Sequence, residues 1–164
     1  MADAEFRPAQ ASDWSQIQRM CRDLYVEDVV GETMDDGKIL RTLAHLVAHP
    51  DQGQAWVVVV DGRALGYAIL IWFWSNEYGG LLGVVDEIWV EPEARGLGIG
   101  SGFLKALQHS RDDLVGLDLE VSPENTHARD WYARRGFVPI RNQMLRWRPD
   151  RADRHLDSVM GASS

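Results

Sequence analysis

The sequence predicts a mixed α/β (α+β) fold with a central, mostly antiparallel sheet, and three observations carry that prediction. Two apolar, β-branched runs, Trp56 to Val60 and Leu65 to Trp74, are separated by Asp61-Gly62, a pair that suits a tight hairpin turn. Apolar residues recur at helical spacing both before and after these runs. Between the last strand of the group and the next helical stretch lies Arg95-Gly96-Leu97-Gly98-Ile99-Gly100, where the period of the pattern changes through glycines.

Taken in order, Ser12 can cap a first helix whose apolar positions are Trp14, Ile17, Met20, Cys21 and Leu24. A loop over 26–38 leads to a second helix carrying Ile39, Leu43, Leu46 and Val47, with Asp35 or Asp36 as its cap and Pro50 beyond its end. The hairpin follows, then a turn from Ser75 to Gly80 and a third strand from Leu81 to Val90, which Pro92 ends because proline has no N–H to give a ladder. Ile99, Phe103, Leu104 and Leu107 lie on one face of a third helix reaching about His109. Val115 to Val121 reads as a strand, Asn125 to Arg135 as a helix and Phe137 to Trp147 as a closing strand. One domain is expected over 1–147. Residues 148–164, with Asp150, Arg151, Asp153, Arg154 and Ser163, read as a charged, flexible tail.

Composition narrows the function classes. The 164 residues suit one globular domain, with 45% hydrophobic and 26% charged residues. A net charge of −8 argues against a nucleic-acid partner, since such affinity comes mainly from Lys and Arg displacing counterions. The longest apolar runs fall far short of the roughly 20 residues of a membrane helix, so a cytoplasmic protein with no membrane partner is expected. Cys21 is the single cysteine, which leaves no internal disulfide. No metal is expected: His45 and His49 are four apart, but no Glu follows His45 and a third ligand is missing. The tryptophans at 72, 74, 89 and 131 read as core and pocket wall.

The glycine-rich turn is the most informative segment. Glycines there let the backbone approach a ligand, and the N–H groups and positive dipole end of the following helix suit a pyrophosphate. A turn that merely joins strand to helix would look the same in isolation. A dinucleotide fingerprint fails, because its third glycine falls on Ser101 and the preceding strands look antiparallel. A phosphate-loop nucleotidase fails too, for want of Gly-Lys-Ser or Gly-Lys-Thr.

Arg95, Gly98 and Gly100 satisfy the pattern of Arg or Gln, two residues, Gly, one residue, then Gly or Ala. Together with Asp86-Glu87-Ile88-Trp89-Val90-Glu91-Pro92 before them and Asn125, Ala128, Tyr132, Gly136 and Phe137 after, they make the chain resemble the Gcn5-related N-acetyltransferase (GNAT) superfamily. The wording Arg-Gly-Leu-Gly-Ile-Gly-Ser, then Tyr-Ala-Arg-Arg-Gly, is particularly similar to the diamine and thialysine acetyltransferase branch. The resemblance spans about residues 5 to 147. It implies a sheet of about six to seven strands flanked by about four helices, and acetyl-CoA as co-substrate for direct acetyl transfer to an amine of a small molecule or peptide in a ternary complex. A homodimer is among the expected assemblies. The main chain of Ile88, Trp89 and Val90 would pair with the pantetheine arm, and a backbone N–H there would polarise the thioester carbonyl. Arg95, Gly96, Leu97, Gly98, Ile99, Gly100 and Ser101 would hold the pyrophosphate, Asn125 would contact the coenzyme further along, and Tyr132 would protonate the departing thiolate.

The amine needs a proton acceptor as well. A primary amine of pKa about 10.4 loses its proton at pH 7 at a cost of about 4.6 kcal/mol, so a base or water chain helps. Asp86 and Glu87 are adjacent candidates, and side-chain alternation predicts that only one points to a given face. The resemblance puts the base on Asp86, where the diamine branch carries Glu. Tyr25, Glu27, Asp28, Glu32, Glu77, Asp118 and Glu120 are the candidates for holding a cationic acceptor. A competing function class is a non-catalytic acyl-CoA sensor or scaffold, which would have no need of Tyr132.

Overall fold

A computed structural model describes residues 4–27, 34–141 and 145. It divides into two compact units, Met1–Glu120 and Val121–Ser164.

The first unit holds a five-stranded sheet in the order β1-β2-β3-β4-β5, formed by β1 (Glu5–Pro8), β2 (Gly53–Val60), β3 (Arg63–Ser75), β4 (Gly80–Val90) and β5 (Leu114–Leu119). The first four strands pair antiparallel, whereas β5 lies parallel to β4. Helices α1 (Trp14–Glu27) and α2 (Asp36–Ala48) precede the central hairpin, and α3 (Ile99–Gln108) makes the crossover from β4 to β5. A parallel partner requires such a crossover, which is why the chain turns helical after Pro92.

Local chemistry accounts for the boundaries. Asp61 and Gly62 both take positive φ, 50° and 76°, the backbone that a two-residue hairpin of matching twist needs. Asp35 caps α2, its carboxylate accepting the Lys38 N–H at 2.9 Å. The start of α1 differs from expectation: Ser12 lies inside a short 3-10 turn, Ala11–Asp13, and Asp13 instead accepts the Gln10 N–H at 2.7 Å. Asp13 is buried and also takes a two-pronged bond from Arg7 at 2.8 and 3.1 Å, so its charge has a fixed counter-ion.

Side-chain alternation sends neighbouring residues to opposite faces of the sheet. On one face Ile17, Met20, Cys21, Ile39, Leu43 and Leu46 of α1 and α2 pack on Val57, Tyr67, Ile69 and Trp89. On the other, Phe103 and Leu107 of α3 pack on Val58, Ala68, Leu70, Trp72 and Val85, and Phe6 stacks on Phe103 at 5.8 Å between ring centres. Each such fully buried large side chain contributes about 2–3 kcal/mol of transfer free energy.

The second unit contains α4 (Thr126–Ala133), capped by Asn125, whose side chain accepts the Ala128 N–H at 3.1 Å. The described part of the expected closing strand, 137–141, has no strand pairing, and the remainder lies largely outside the described residues, as does the expected tail. Among the described residues the five strands are slightly fewer than the six to seven expected, whereas the four α-helices agree. Strand β1 lies outside the sequence expectation: it is four residues ending in Pro8, too short for a pattern, and exists because β2 offers it an edge.

Candidate functional site

The site is organised by β4. Its pairing with β5 runs from Leu81 to Val85 and ends there. Its pairing with β3 sets Val85 opposite Leu70 and Glu87 opposite Ile69, so Asp86 is the extra residue of a β-bulge. Among the described residues no strand covers the far edge of β4 from Ile88 to Val90. In an antiparallel ladder, residues alternate between turning their main-chain groups toward the partner and away from it. Glu91 donates its N–H to the Leu65 carbonyl, so Trp89 and Glu87 share that phase while Ile88 and Val90 turn to the open edge. Of the three residues expected to meet an extended ligand, Trp89 thus spends its main chain on β3. Ile88 offers both N–H and C=O, and Val90 its N–H, because the Val90 carbonyl accepts from Arg95 Nε at 2.9 Å.

Beyond β4, a 3-10 turn over Pro92–Ala94 leads to Gly96 and Gly98 at φ 78° and 83°, and α3 begins at Ile99. These left-handed positions explain why both are glycine. A Cβ built on either meets nothing within 4 Å, so the turn faces open space. Gly98 caps α3 without any side-chain bond, and the first N–H groups of a helix have no acceptor within it. That is the chemistry of an anion cradle. Leu97 is 67% exposed between the two glycines.

Arg95 and Glu27, assigned from the sequence to different ligands, meet each other. The guanidinium bonds both Glu27 oxygens at 2.9 and 3.1 Å and lies 4.5 Å from the centre of the Trp89 ring. The Arg95 side chain therefore ties the end of α1 to β4, and the groups that the turn leaves open are those of its main chain.

The acidic pair sits at the bulge. Glu87 bonds Tyr25, whose phenol is pushed up by burial, then by the Glu87 charge and hydrogen bond, with Asp86 the smallest contribution. Asp86 is exposed and Glu87 half-buried. Glu87 Oε1 accepts from Tyr25 Oη at 2.9 Å, and Oε2 accepts from Tyr67 Oη at 2.7 Å and from Cys21 Sγ at 3.6 Å. Burial, then the Glu87 charge, pushes the Cys21 thiol up to about 12 and raises the Tyr67 phenol as well. Sequence reasoning does not bring Tyr67 or Cys21 to this site. The available signal is Tyr67 itself, the one hydroxyl in the run from Ala64 to Trp74.

The other acceptor-side candidates are dispersed. Glu77 is exposed in the turn after β3; Asp118 is half-buried on β5 opposite Val84; Glu120 follows the end of that strand. Among the described residues no hydrogen bond or ion pair joins these three to Glu87. Asp28 and Glu32 lie outside the described residues. His45 and His49 stack at 4.5 Å, with His45 Nε2 bonded to Gln52 Oε1 at 2.8 Å. No group of three or more His, Cys, Asp or Glu that could hold a metal occurs among the described residues, and no described helix is long and apolar enough to cross a membrane.

In the second unit Tyr132 sits edge-on to Trp131 and Phe137, at 4.9 and 5.5 Å between ring centres. Burial pushes its phenol up to about 12. Asn125 spends its side-chain carbonyl on the α4 cap.

Comparison with known proteins agrees with this architecture. Residues 14–137 match the model of the acetyltransferase (GNAT) family. The chain belongs to that family of acetyl-transferring enzymes. An uncharacterized N-acetyltransferase of Methanocaldococcus jannaschii is 34% identical over 85 residues, 50% of this chain and 51% of that protein, so the match spans about half the length of this curated relative. Among solved structures, a possible acetyltransferase from Clostridium difficile 630 superposes with a TM-score of 0.79 at 20% identity, covering 89% of this chain and 97% of that one. An integron cassette protein from the mobile metagenome of Cole Harbour Salt Marsh gives 0.74 at 28% identity, covering 87% and 89%. Aminoglycoside N-acetyltransferase AAC(6')-Iy, in complex with CoA, gives 0.74 at 17% identity, covering 92% and 97%.

Proposed function

We propose that this chain is an acetyl-CoA-dependent N-acetyltransferase that moves the acetyl group directly to an amine of a small molecule or peptide in a ternary complex. The observation that carries the reading is the open edge of β4 past the Asp86 bulge, which runs into the uncapped amino end of α3. An extended amide-bearing arm followed by a pyrophosphate matches that sequence of groups: strand-edge donors and acceptor at Ile88 and Val90, then left-handed glycines whose missing Cβ atoms leave room. Acetyl-CoA supplies the activated thioester when bound.

The chain's own groups take the remaining roles. The main chain of Ile88 and Val90 aligns the pantetheine arm, and an N–H of that edge polarises the thioester carbonyl. The main chain of residues 96–101 receives the pyrophosphate, and Asn125 contributes a further contact through its amide nitrogen. Asp86 and Glu87 serve the amine, one accepting its proton through water and the other attracting the cation. Tyr132 gives its proton to the departing thiolate; a phenol held protonated to high pH remains a competent acid throughout the working range. One acetyltransferase domain over 1–147, in the cytoplasm, goes with this reading. A second structure of AAC(6')-Iy is in complex with a bisubstrate analogue, CoA-S-monomethyl-acetylneamine, which supports cationic small-molecule amines as the first acceptors to try here.

The test is continuous detection of free thiol from acetyl-CoA across diamines, aminoglycosides, amino acids and peptides. Amine-dependent release is expected. Tight acetyl-CoA binding with no release from any amine would leave the chain a non-catalytic binder instead.

A further inference from the structure

The carboxylates withdrawn from water in the first unit do not all have the same kind of partner. Asp13 is held by Arg7 and Glu91 by Arg19, each charge met by a guanidinium. Glu87, half-buried against α1 and β3, is met only by two phenols and a thiol; among the described residues none of its partners carries positive charge. A charge taken partly out of water normally acquires a counter-ion. Here the hydrogen bonds that orient it, among the described residues, all come from neutral donors. The three donors also divide the carboxylate. Oε2 takes both partners that belong to the core, Tyr67 at 0% exposure and Cys21 at 1%, whereas Oε1 takes only Tyr25, which is half-buried at the end of α1.

On the acetyltransferase reading above, we propose that Tyr67, assisted by Cys21, is a positioning residue: it anchors Oε2 of Glu87 from inside the core and so presents Oε1 to the ammonium of a cationic acceptor. Tyr67 does not touch the acceptor. It acts through Glu87, fixing which oxygen is spent inside the fold and which is available outside. Its own position is well determined, because it lies opposite Trp89 in the β3–β4 ladder, two residue pairs along from Glu87 opposite Ile69. The carboxylate and its anchor are thus set by the same ladder and share a face. The acceptor class that follows is an alkylammonium, such as one end of a diamine, in preference to an uncharged amide or alcohol of the same length.

Cys21 is the only thiol in the sequence, so its S–H stretch in the infrared reports on Oε2 without interference. In Tyr67→Phe the ring packing is retained and one donor is removed. The thiol should then bind Oε2 more strongly and its band should shift, while in Glu87→Gln the band should move the other way. Calorimetry with 1,3-diaminopropane, and with 1,3-propanediol as the uncharged control, should show diamine affinity falling roughly tenfold in Tyr67→Phe, the scale of one hydrogen bond to a charged group. Steady-state assays should show KM rising by a similar factor for the diamine and staying constant for acetyl-CoA. A general loss of folding would lower the active fraction and so the apparent kcat, with both KM values and the S–H band of the folded fraction unchanged. Cys21→Ala should weaken diamine binding less than Tyr67→Phe does. An unshifted S–H band, or equal diamine affinity in wild type and Tyr67→Phe, overturns the proposal. Because neither measurement needs turnover, a wild-type protein that releases no thiol would refute the acetyltransferase reading while the role of Tyr67 is still decided.

Discussion

At the scale of single residues, the proposed chemistry asks one group to hold a proton until the thiolate leaves and another to serve the amine. Tyr132 is proposed for the first task. Its ordinary pKa of 10.0 is pushed by burial up to about 12, so it stays protonated across any physiological range. Tyr132→Phe should lower kcat roughly a hundredfold, the usual scale for a lost general acid, with KM for acetyl-CoA unchanged. Wild-type turnover in a folded Tyr132→Phe protein would assign the proton to water. Asp86 and Glu87, adjacent at the bulge of β4, are proposed to share the second task of serving the amine, Asp86 exposed and Glu87 half-buried and bonded to Tyr25. Asp86→Asn should depress kcat/KM by roughly a hundredfold at neutral pH and be rescued toward the pKa of the amine, where the substrate arrives deprotonated. Glu87→Gln should chiefly raise the acceptor KM, by about tenfold, at every pH where the acceptor is cationic. Paired pH profiles of the two variants settle the division; a rescue seen only in Glu87→Gln would exchange the roles.

At the scale of elements, the junction of β4 with α3 does two jobs with one backbone. The bulge ends the β4–β5 ladder and frees an edge, and the glycine turn then brings a helix end to face the same open space. Gly98 stands at φ 83° with nothing within 4 Å of a built Cβ, so Gly98→Val would not clash inside the protein. Its expected costs are backbone strain of about 1–2 kcal/mol and obstruction of whatever approaches the turn. Coenzyme A affinity measured by calorimetry should fall by far more than that strain explains. A Gly98→Val variant with unchanged affinity would remove the turn from the site. The Arg95–Glu27 pair fits the proposed division of labour, since it commits the signature arginine to holding α1 and leaves main-chain N–H groups for the proposed anion.

At the scale of the whole molecule, the two units share one electrostatic tendency: several buried acids are held neutral. Cys21, with an ordinary value of 9.0 and a folded value of about 12, together with Tyr25 and Tyr67 in the first unit and Tyr132 in the second, all titrate higher folded than unfolded. Above pH 9 the unfolded chain therefore binds fewer protons than the folded one, and stability falls as pH rises. The contribution is fully present below about pH 9 and is lost progressively toward pH 12. Urea midpoints should be level from pH 7 to 8.5 and decline steadily above 9, with a shallower decline between 9 and 10 in Cys21→Ala even though that variant starts from lower stability. A flat profile to pH 11 would mean that these groups already meet water.

Sequence alone determined whatever is written in neighbouring residues. The Asp61-Gly62 hairpin, a cap at Asp35 or Asp36, the helical faces of α1 to α3 and the glycine turn are each specified over fewer than about a dozen residues by turn chemistry and periodicity, and the motif around Arg95, Gly98 and Gly100 pointed to the family. Tertiary structure decided what depends on a partner distant in the chain. Strand β1 is too short to announce itself and exists through β2. The bulge at Asp86 is a property of register against β3, which no count along β4 alone reveals. Arg95 meets Glu27 across 68 residues, and Tyr67 reaches Glu87 across 20, because a ladder and a packed helix bring them together. Local patterns fix the conformation of a segment, but which oxygen of a carboxylate faces inward is settled only when the donors that surround it have been delivered by other elements.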